Sequence, residues 1–231
     1  DVNIEVLLIR QSEHGSGGNG EYEDLLAQSA EKGLKTVGVE DGLYNKLMET
    51  ETPQGIAAMV RYRTWDPDSF FAAGKRGGQG NILVLDRIQD PGNAGTIIRT
   101  ADAFGFDGVI LSKGCADIYS GKTIRSTMGS LFHIPVISDA DLKNVLEKLD
   151  ESGALTIAAA PHAGISCHSI VYGDKNAVVI GNESKGLSDD IMNMVKVKAN
   201  IPMAGRAESL NAGIAASIMM YEILRFKLNK D

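Results

Sequence analysis

Three polar stretches, each placed after an apolar run, contain the residue types of a ligand-binding or catalytic site. The first is DPGNAG, with Asn93 before a helical pattern, and the second is GNESKG, with Gly181 and Glu183. The third runs from Ile201 to Asn211 and opens a helix, where free amides and clustered Ser and Asn side chains suit a polar ligand. Glycine at position 181 lets the backbone approach a ligand closely. The stretches therefore predict one ligand site, provided that the fold brings them together.

Each stretch also has a structural interpretation that the residues alone leave open. Asn93 in the first stretch, and Ser209 or Asn211 in the third, can be helix N-caps. The second stretch can be a tight turn followed by an N-cap, and Arg99, in the helix after Asn93, can be an ordinary surface residue. Each signal is weak by itself, and the occurrence of all three in this order along the chain is the stronger signal.

From Asn81 onwards, apolar runs alternate with helical patterns, which predicts the elements that would position these stretches. The predicted strands cover 82–85, 109–112, 134–137, 155–159 and 178–180. The predicted helices cover 94–104, 121–132, 142–152 and 188–195, with a last helix from Ser209 or Asn211. Strands that are apolar throughout and separated by helices indicate an α/β fold with a parallel sheet covered on both faces. Ligands bind such sheets beyond the carboxyl ends of the strands.

The last helix contains large apolar residues at helical spacing, which predicts that they form its buried face. These residues are Leu210, Ile214, Ile218, Tyr221 and Leu224. The small residues between them, at positions 212–217, would let a second surface approach the helix closely.

The first part of the chain, residues 1–62, predicts a separate small α/β domain. Its predicted strands cover 3–9, 34–39 and 56–62, and its predicted helices cover 21–32 and 41–49. The Gly-rich run at 14–20 is expected to be a mobile loop, and the Gly-rich, charged stretch at 63–80 a linker. The chain begins inside a strand pattern, so the start of this domain is expected to lie outside the sequence.

Composition excludes several classes of protein. A hydrophobic content of 43% is typical of a globular protein, and a net charge of -7 means that nucleic acid would need a local basic patch. Two cysteines fit a reducing cytosol, and no apolar run reaches the roughly 18 residues of a membrane span. His162, Cys167 and His168 match no zinc-binding spacing, so no metal site is predicted. We therefore expect a cytoplasmic protein.

The three stretches, taken in order, resemble the motifs of a known family. DPGNAGTIIRTADAFGFDGVILS, GNESKGLSDDI and IPMAGRAESLNAGIAASIMMYEIL are similar to those of the SpoU/TrmH family of RNA ribose 2′-O-methyltransferases, in the SPOUT superfamily. The resemblance covers about residues 81–227. Two departures are Ser184, where glycine is commoner, and Ala212-Gly213, where branched residues are frequent.

The resemblance implies a SPOUT-type α/β knot, a parallel sheet completed by a C-terminal trefoil knot, preceded by an RNA-binding domain at 1–62. It implies S-adenosylmethionine as cofactor, held mostly by backbone groups of Ala160, Gly181, Ile201, Met203 and Leu210. It also implies a homodimer whose active site draws on both chains. The small-residue face of the last helix is a candidate interface, and core packing explains that face equally well.

The chemistry that the resemblance implies is attack of a ribose 2′-hydroxyl on the methyl group of the cofactor. Arg99 corresponds to the catalytic arginine of the first motif. Because guanidinium stays protonated in proteins, we expect Arg99 to stabilise the developing alkoxide and hold a phosphate, rather than act as a base. Asn93, Glu183, Ser209 and Asn211 would position Arg99 and the ribose. The proton acceptor stays open.

Candidate phosphate contacts are cations in or near the predicted loops, each of which can equally be a solvated surface charge. They are Lys113, Lys122, Arg125, Lys185 and Arg206. The extra N-terminal domain favours ribosomal RNA as substrate over transfer RNA. A non-catalytic RNA-binding or ribosome-assembly protein with the same fold is the alternative from another class, and the presence of all five predicted catalytic side chains argues against it.

Overall fold

The computed structural model describes residues 3–13, 20–48, 50–61, 64–72 and 80–229, and the chain divides into two compact units, 1–63 and 64–231. Most of the predicted Gly-rich loop, residues 14–19, lies outside the described residues, as do residues 73–79 of the predicted linker. Each unit has its own sheet.

The first unit is a three-stranded sheet with two helices. Its strands are β1 (Asn3–Arg10), β2 (Thr36–Val39) and β3 (Ile56–Arg61), and its helices are α1 (Gly20–Glu31) and α2 (Asp41–Leu47). The strand order is β2-β1-β3, with β2 parallel and β3 antiparallel to β1. The predicted elements of this unit are all present, within a few residues of their expected bounds.

The second unit is built on a seven-stranded parallel sheet, as the apolar strand patterns predict. Its strands are β4 (Asn81–Leu85), β5 (Gly108–Ser112), β6 (Val136–Ala140), β7 (Leu155–Ala159), β8 (Ile165–Ser166), β9 (Asn176–Ile180) and β10 (Val197–Asn200). They lie in the order β6-β5-β4-β9-β7-β10-β8. The strands β8 and β10 are absent from the sequence prediction because both are short and partly polar.

Helices cover both faces of this sheet. They are α3 (Pro67–Ala72), α4 (Pro91–Ala103), α5 (Gly121–Thr127), α6 (Leu142–Glu151), α7 (Asp189–Met194) and α8 (Ala212–Leu228). One apolar cluster joins α4 and α8 to the sheet, and a second joins α3, α6 and α7 to its other face. The chain leaves the central strand β4 in one direction through β5 and β6, then returns through β7 and β9 on the other side. The carboxyl ends of β4, β9, β7 and β10 therefore form one edge; the trefoil knot itself stays a prediction.

The buried face of α8 differs from the predicted one. Ile214 is 53% exposed and Tyr221 49% exposed, so the prediction that these large residues face the core is wrong. The buried positions are instead Ala212, Gly213, Ala216, Met219, Met220 and Ile223. A Cβ atom at position 213 would lie 3.1 Å from Oδ1 of Asn211 and 3.6 Å from Oδ1 of Asn93 on α4, so a side chain here would crowd the amide of Asn211. Core packing thus accounts for much of the small-residue face.

The predicted helix at 121–132 is interrupted. It ends at Thr127 because Met128 and Gly129 both have left-handed backbone, with φ of 49° and 93°. A single 3₁₀ turn follows at Ser130–Phe132. Two successive left-handed residues cannot continue a right-handed helix.

Part of the predicted linker belongs to the second unit. Within 63–80, α3 packs Phe70 into the core beneath the sheet, where this side chain is 1% exposed. A Cβ atom at Gly108 would lie 2.7 Å from Cζ of Phe70, so the glycine makes room for the ring. Among the described residues, no helix combines the length and apolar composition needed to cross a membrane.

Because Phe70 is buried, shortening its side chain should strongly destabilise the protein, although the sequence predicts a linker here. Phe70→Ala should lower the free energy of unfolding of the second unit by about 3–5 kcal/mol, because it leaves a cavity. Urea unfolding followed by the fluorescence of Trp65, the single tryptophan, measures this, since Trp65 packs against the same cluster. Phe71→Ala, at a partly buried neighbour, is the control and should cost less. A negligible loss of stability in Phe70→Ala would contradict the assignment of α3 to the core.

Candidate active site

A cavity of about 380 Å³ lies beyond the carboxyl ends of β7, β9 and β10. The five residues predicted to contact a cofactor all line it: Ala160, Gly181, Ile201, Met203 and Leu210. Other lining residues are His162, Asn182, Glu183, Ser184, Lys185, Gly186 and Ser209. The structure therefore brings the second and third motifs together around one space.

The wall formed by the β9–α7 loop is compact and depends on glycine. A Cβ atom at Gly181 would lie 2.4 Å from both the carbonyl carbon of Gly186 and the nitrogen of Leu187, so any larger residue would force the loop open. The side-chain oxygen of Asn182 accepts hydrogen bonds from the backbone of Ser184 at 3.1 Å and of Lys185 at 3.0 Å. The loop is therefore held in a tight turn beside the cavity.

The side chains of two asparagines and one glutamate connect the three motifs. Their hydrogen bonds all run in the same direction, from the third motif through the first to the second. The Oδ1 atom of Asn211 accepts from the backbone N–H of Gly213 at 2.8 Å and of Ile214 at 3.2 Å, at the start of α8. Its Nδ2 atom then donates to Oδ1 of Asn93 at 2.9 Å, and Nδ2 of Asn93 donates to Oε1 of Glu183 at 3.0 Å. We call this series the amide relay.

The carboxylate of Glu183 ends the amide relay as an acceptor. It also accepts from the backbone N–H of Gln89 and of Asp90, both at 3.3 Å. Burial by itself would raise the pKa of Glu183, but the hydrogen bond from Asn93 and the backbone donors outweigh it, so the pKa lies below its ordinary value. Glu183 is therefore ionised at neutral pH, and its role here is to hold the first and second motifs together.

The interpretation of Asn93 as an N-cap is wrong. Asp90 caps α4, since its Oδ1 accepts from the backbone N–H of Asn93 at 2.7 Å. This leaves the side chain of Asn93 free for the amide relay. Asn211 is the N-cap of α8, as one interpretation expected, and also a relay member, so the structural and functional interpretations of this residue are compatible.

Arg99 and Ser209 lie apart from the amide relay. Ser209 is exposed and lines the cavity. Arg99 is exposed on α4, about 9 Å further along the helix axis than Asn93 at the usual rise per residue. Within the described part of the chain its guanidinium has no hydrogen bond or ion pair, so a single chain does not show the expected positioning of Arg99 by the other four residues.

The five predicted phosphate contacts are all exposed. Lys185 lines the cavity, and Lys122 forms an ion pair with Asp90 at 3.6 Å, which places the start of α5 beside the first motif. Lys113 follows β5 directly, Arg206 lies in the loop between β10 and α8, and Arg125 is on α5.

Sequence reasoning missed several residues of this site. Asp86 and Arg87 follow β4 and form a two-fold ion pair beside the cavity wall, and Asn182 donates from Nδ2 to the carbonyl of Arg87 at 2.8 Å. An Asp-Arg pair directly after a buried strand was the available signal. His162, for which the sequence predicted no role in a site, also lines the cavity. Among the described residues, no three His, Cys, Asp or Glu side chains are grouped to hold a metal ion.

Removal of Asn93 from the amide relay should change the titration of Glu183. In Asn93→Ala the pKa of Glu183 should rise towards its ordinary value of 4.5, because a donor to the ionised form is lost. A carboxylate with a lowered folded-state pKa adds stability above its unfolded pKa and loses it as pH falls through the folded value. Wild type should therefore lose stability more steeply than Asn93→Ala below about pH 4.5.

Side-chain carbon NMR during a pH titration measures the pKa of Glu183. Urea unfolding at several pH values measures how steeply the free energy of unfolding falls with pH. Asn193→Ala, at an exposed asparagine of α7, is the control and should leave both unchanged. An unshifted Glu183 in Asn93→Ala would show that Asn93 does not govern its ionisation.

The chain is similar to known proteins in the region that contains these three motifs. Residues 80–221 match the SpoU rRNA Methylase family. The 23S rRNA (guanosine(2553)-2′-O)-methyltransferase RlmP of Bacillus subtilis is 35% identical over 201 residues, which is 87% of this chain and 77% of that protein.

Two solved structures are also similar over nearly the whole chain. The SpoU methyltransferase AviRb from Streptomyces viridochromogenes, in complex with the cofactor AdoMet, has a TM-score of 0.83 and 26% identity, covering 99% of this chain and 85% of that one. An AdoMet-bound rRNA methyltransferase from Sinorhizobium meliloti has a TM-score of 0.81 and 28% identity, covering 97% and 80%. The three motifs, the parallel sheet and these similarities agree, and the chain belongs to the SpoU rRNA methylase family.

Proposed function

We propose that this protein transfers a methyl group from S-adenosylmethionine to a ribose 2′-hydroxyl of ribosomal RNA. The observation that carries the proposal is the amide relay, which joins all three motifs at the edge of one cavity. The similarity to a Bacillus subtilis enzyme that is named for 2′-O-methylation of 23S rRNA supports the same chemistry and substrate class. A ribosomal RNA substrate would be met in the cytoplasm, where we expect the protein to act.

The residues around the cavity fit S-adenosylmethionine. A Cβ atom at Gly181 would clash with the loop backbone, and the cavity lining combines small or apolar residues with polar ones such as Asn182 and Ser209, which suits a bound nucleoside. Ala160, Gly181, Ile201, Met203 and Leu210 would hold the cofactor. When bound, it supplies a sulfonium-activated methyl group.

The protein contributes placement and charge to the transfer. The amide relay keeps the loops of the three motifs fixed, and Ser209 at the cavity wall would orient the ribose. Arg99 stays protonated and would stabilise the negative charge that develops on the 2′-oxygen, while its planar fork holds an adjacent phosphate. Preorganised placement of two reactants can contribute about 7–11 kcal/mol to lowering the barrier.

The exposed position of Arg99 favours an active site shared between two chains. Ile214 and Tyr221 give α8 an exposed apolar surface, and the ring of Tyr221 packs 6.0 Å from that of Phe104 after α4. An apolar surface formed by α4 and α8 suits a two-fold contact between identical chains. In such a homodimer, Arg99 would complete the cavity of the partner rather than that of its own chain.

RNA would contact the second unit through charge and the first unit through shape. Residues 1–63 contain eleven acidic and six basic side chains, so this unit has no general attraction for phosphate. The exposed Lys113, Lys122, Arg125, Lys185 and Arg206 lie in or beside the loops of the cavity edge and would supply the local cations. The first unit would then select the RNA fold, as expected of an RNA-binding domain.

Arg99→Ala should abolish methyl transfer while cofactor binding survives. Loss of charge stabilisation in the transition state predicts a rate reduced by about 10²-fold or more. Transfer of a labelled methyl group to 23S rRNA measures activity, and calorimetry with S-adenosylmethionine measures binding. Lys143→Ala, which removes a surface ion pair with Asp190, is the control. Undiminished turnover by Arg99→Ala would remove Arg99 from the mechanism, and wild type without cofactor binding would point to the non-catalytic alternative.

A shared active site predicts complementation between two inactive chains. Arg99→Ala keeps the cavity intact, and Glu183→Ala keeps Arg99, so a heterodimer of the two contains one complete site. Heterodimers purified through two different tags should show about half of wild-type activity, whereas each variant homodimer stays inactive. Inactive heterodimers would place Arg99 and the cavity of the same chain in one site.

A further inference from the structure

Arg87, which the chemistry above does not use, has an unusual backbone conformation and a side chain held by three hydrogen bonds. It follows β4 directly and has φ of 55°, a left-handed conformation that is unfavourable for residues other than glycine. Its guanidinium donates from Nε to Oδ1 of Asp86 at 2.9 Å and from Nη2 to Oδ2 at 2.7 Å. The side chain of Asp86 is only 7% exposed, so this fork neutralises a buried carboxylate.

The remaining contacts of Arg87 reach the cavity wall. Its Nη2 atom also donates to the carbonyl of Gly186 at 3.3 Å, and its own carbonyl accepts from Nδ2 of Asn182 at 2.8 Å. Asn182 and Gly186 lie at the two ends of the β9–α7 loop, and both line the cavity. The backbone N–H of Arg87 donates to Oγ of Ser112 at 2.9 Å, which fixes the residue to the end of β5.

These contacts make Arg87 a brace between the central strands and the loop that encloses the cavity. With this left-handed backbone, the carbonyl and the guanidinium of Arg87 both form hydrogen bonds with the β9–α7 loop. Asp86 prevents the guanidinium from leaving, because departure would strand a buried charge. The loop is therefore held from outside the cavity, by a residue that does not line it.

We propose that Arg87 is a positioning residue that sets the affinity of the cavity for S-adenosylmethionine, without a part in methyl transfer. The proposal rests on the proposed function, because it takes the cavity as the cofactor site. It assigns to Arg87 an effect on cofactor binding and none on turnover once the cofactor is saturating.

The test compares two substitutions of Arg87. Arg87→Gly accepts the left-handed backbone but removes both guanidinium contacts, and Arg87→Lys keeps a charge for Asp86 but cannot reproduce the fork. The expected Kd for S-adenosylmethionine, measured by calorimetry, rises about three- to tenfold in Arg87→Gly and less in Arg87→Lys. In methylation assays the KM for the cofactor should rise by the same factor, with kcat unchanged.

Two controls separate bracing from general destabilisation. Asp86→Asn with Arg87→Gly removes the stranded carboxylate, so it keeps the fold while the Gly186 contact is still lost; it should show the same weakened binding. Lys196→Met removes a lysine that bonds both a carboxylate, Asp150, and a carbonyl, Ala154, at the opposite edge of the sheet, and should leave the Kd unchanged.

The outcomes separate this inference from the function on which it rests. If wild type binds S-adenosylmethionine and the Arg87 variants bind it equally well, the inference is overturned and the proposed function stands. A fall in kcat without a rise in KM would also overturn it, since that pattern indicates a role in transfer. If wild type does not bind the cofactor, the proposed function itself fails.

Discussion

The direction of the hydrogen bonds in the amide relay constrains the whole site. The backbone N–H groups at the start of α8 can only donate, so they fix which end of the Asn211 amide is the acceptor. That orientation fixes Asn93, and Asn93 in turn requires a pure acceptor, which an ionised Glu183 provides. An aspartate in place of either asparagine would set two acceptors against each other. The donors at the start of α8 thus determine which residue type is required at each position of the relay, up to the carboxylate of Glu183.

The relay is possible only because the fold brings two helix starts close together. In a parallel sheet every strand ends at the same edge, so the loops after β4 and β9 are neighbours as soon as these strands pair. The start of α8 reaches them because Gly213 and Ala216 allow this helix to approach α4. Small residues in α8 therefore serve the site through packing, and the large residues that they displace from the core form the exposed apolar surface.

Sequence patterns predicted the parallel sheet and most of its strands, since these depend on local composition, and the family resemblance implied five of the residues that line the cavity. They failed for features that depend on contacts between segments that are distant along the chain. The apolar spacing of Ile214 and Tyr221 reflects side-chain size, but the buried face of α8 contains the small residues Ala212, Gly213 and Ala216. Asp90 and Asn93 are both good caps, and only geometry chooses Asp90. A left-handed Arg87 has no signature in sequence, because its contacts come from a loop that is distant along the chain.

The two arginines of the first motif region show how one residue type can serve opposite roles. Nε and Nη2 of Arg87 are committed to Asp86 and Gly186, so a substrate phosphate could take this fork only by displacing a buried carboxylate. Arg99 is exposed and, within the described residues, has no partner. Binding an anion therefore costs Arg99 little beyond side-chain ordering and loss of water, whereas it would cost Arg87 an existing ion pair. The presence of a carboxylate partner therefore distinguishes the two arginines. Arg87 has one and braces the site, whereas Arg99 has none among the described residues and can act on a substrate.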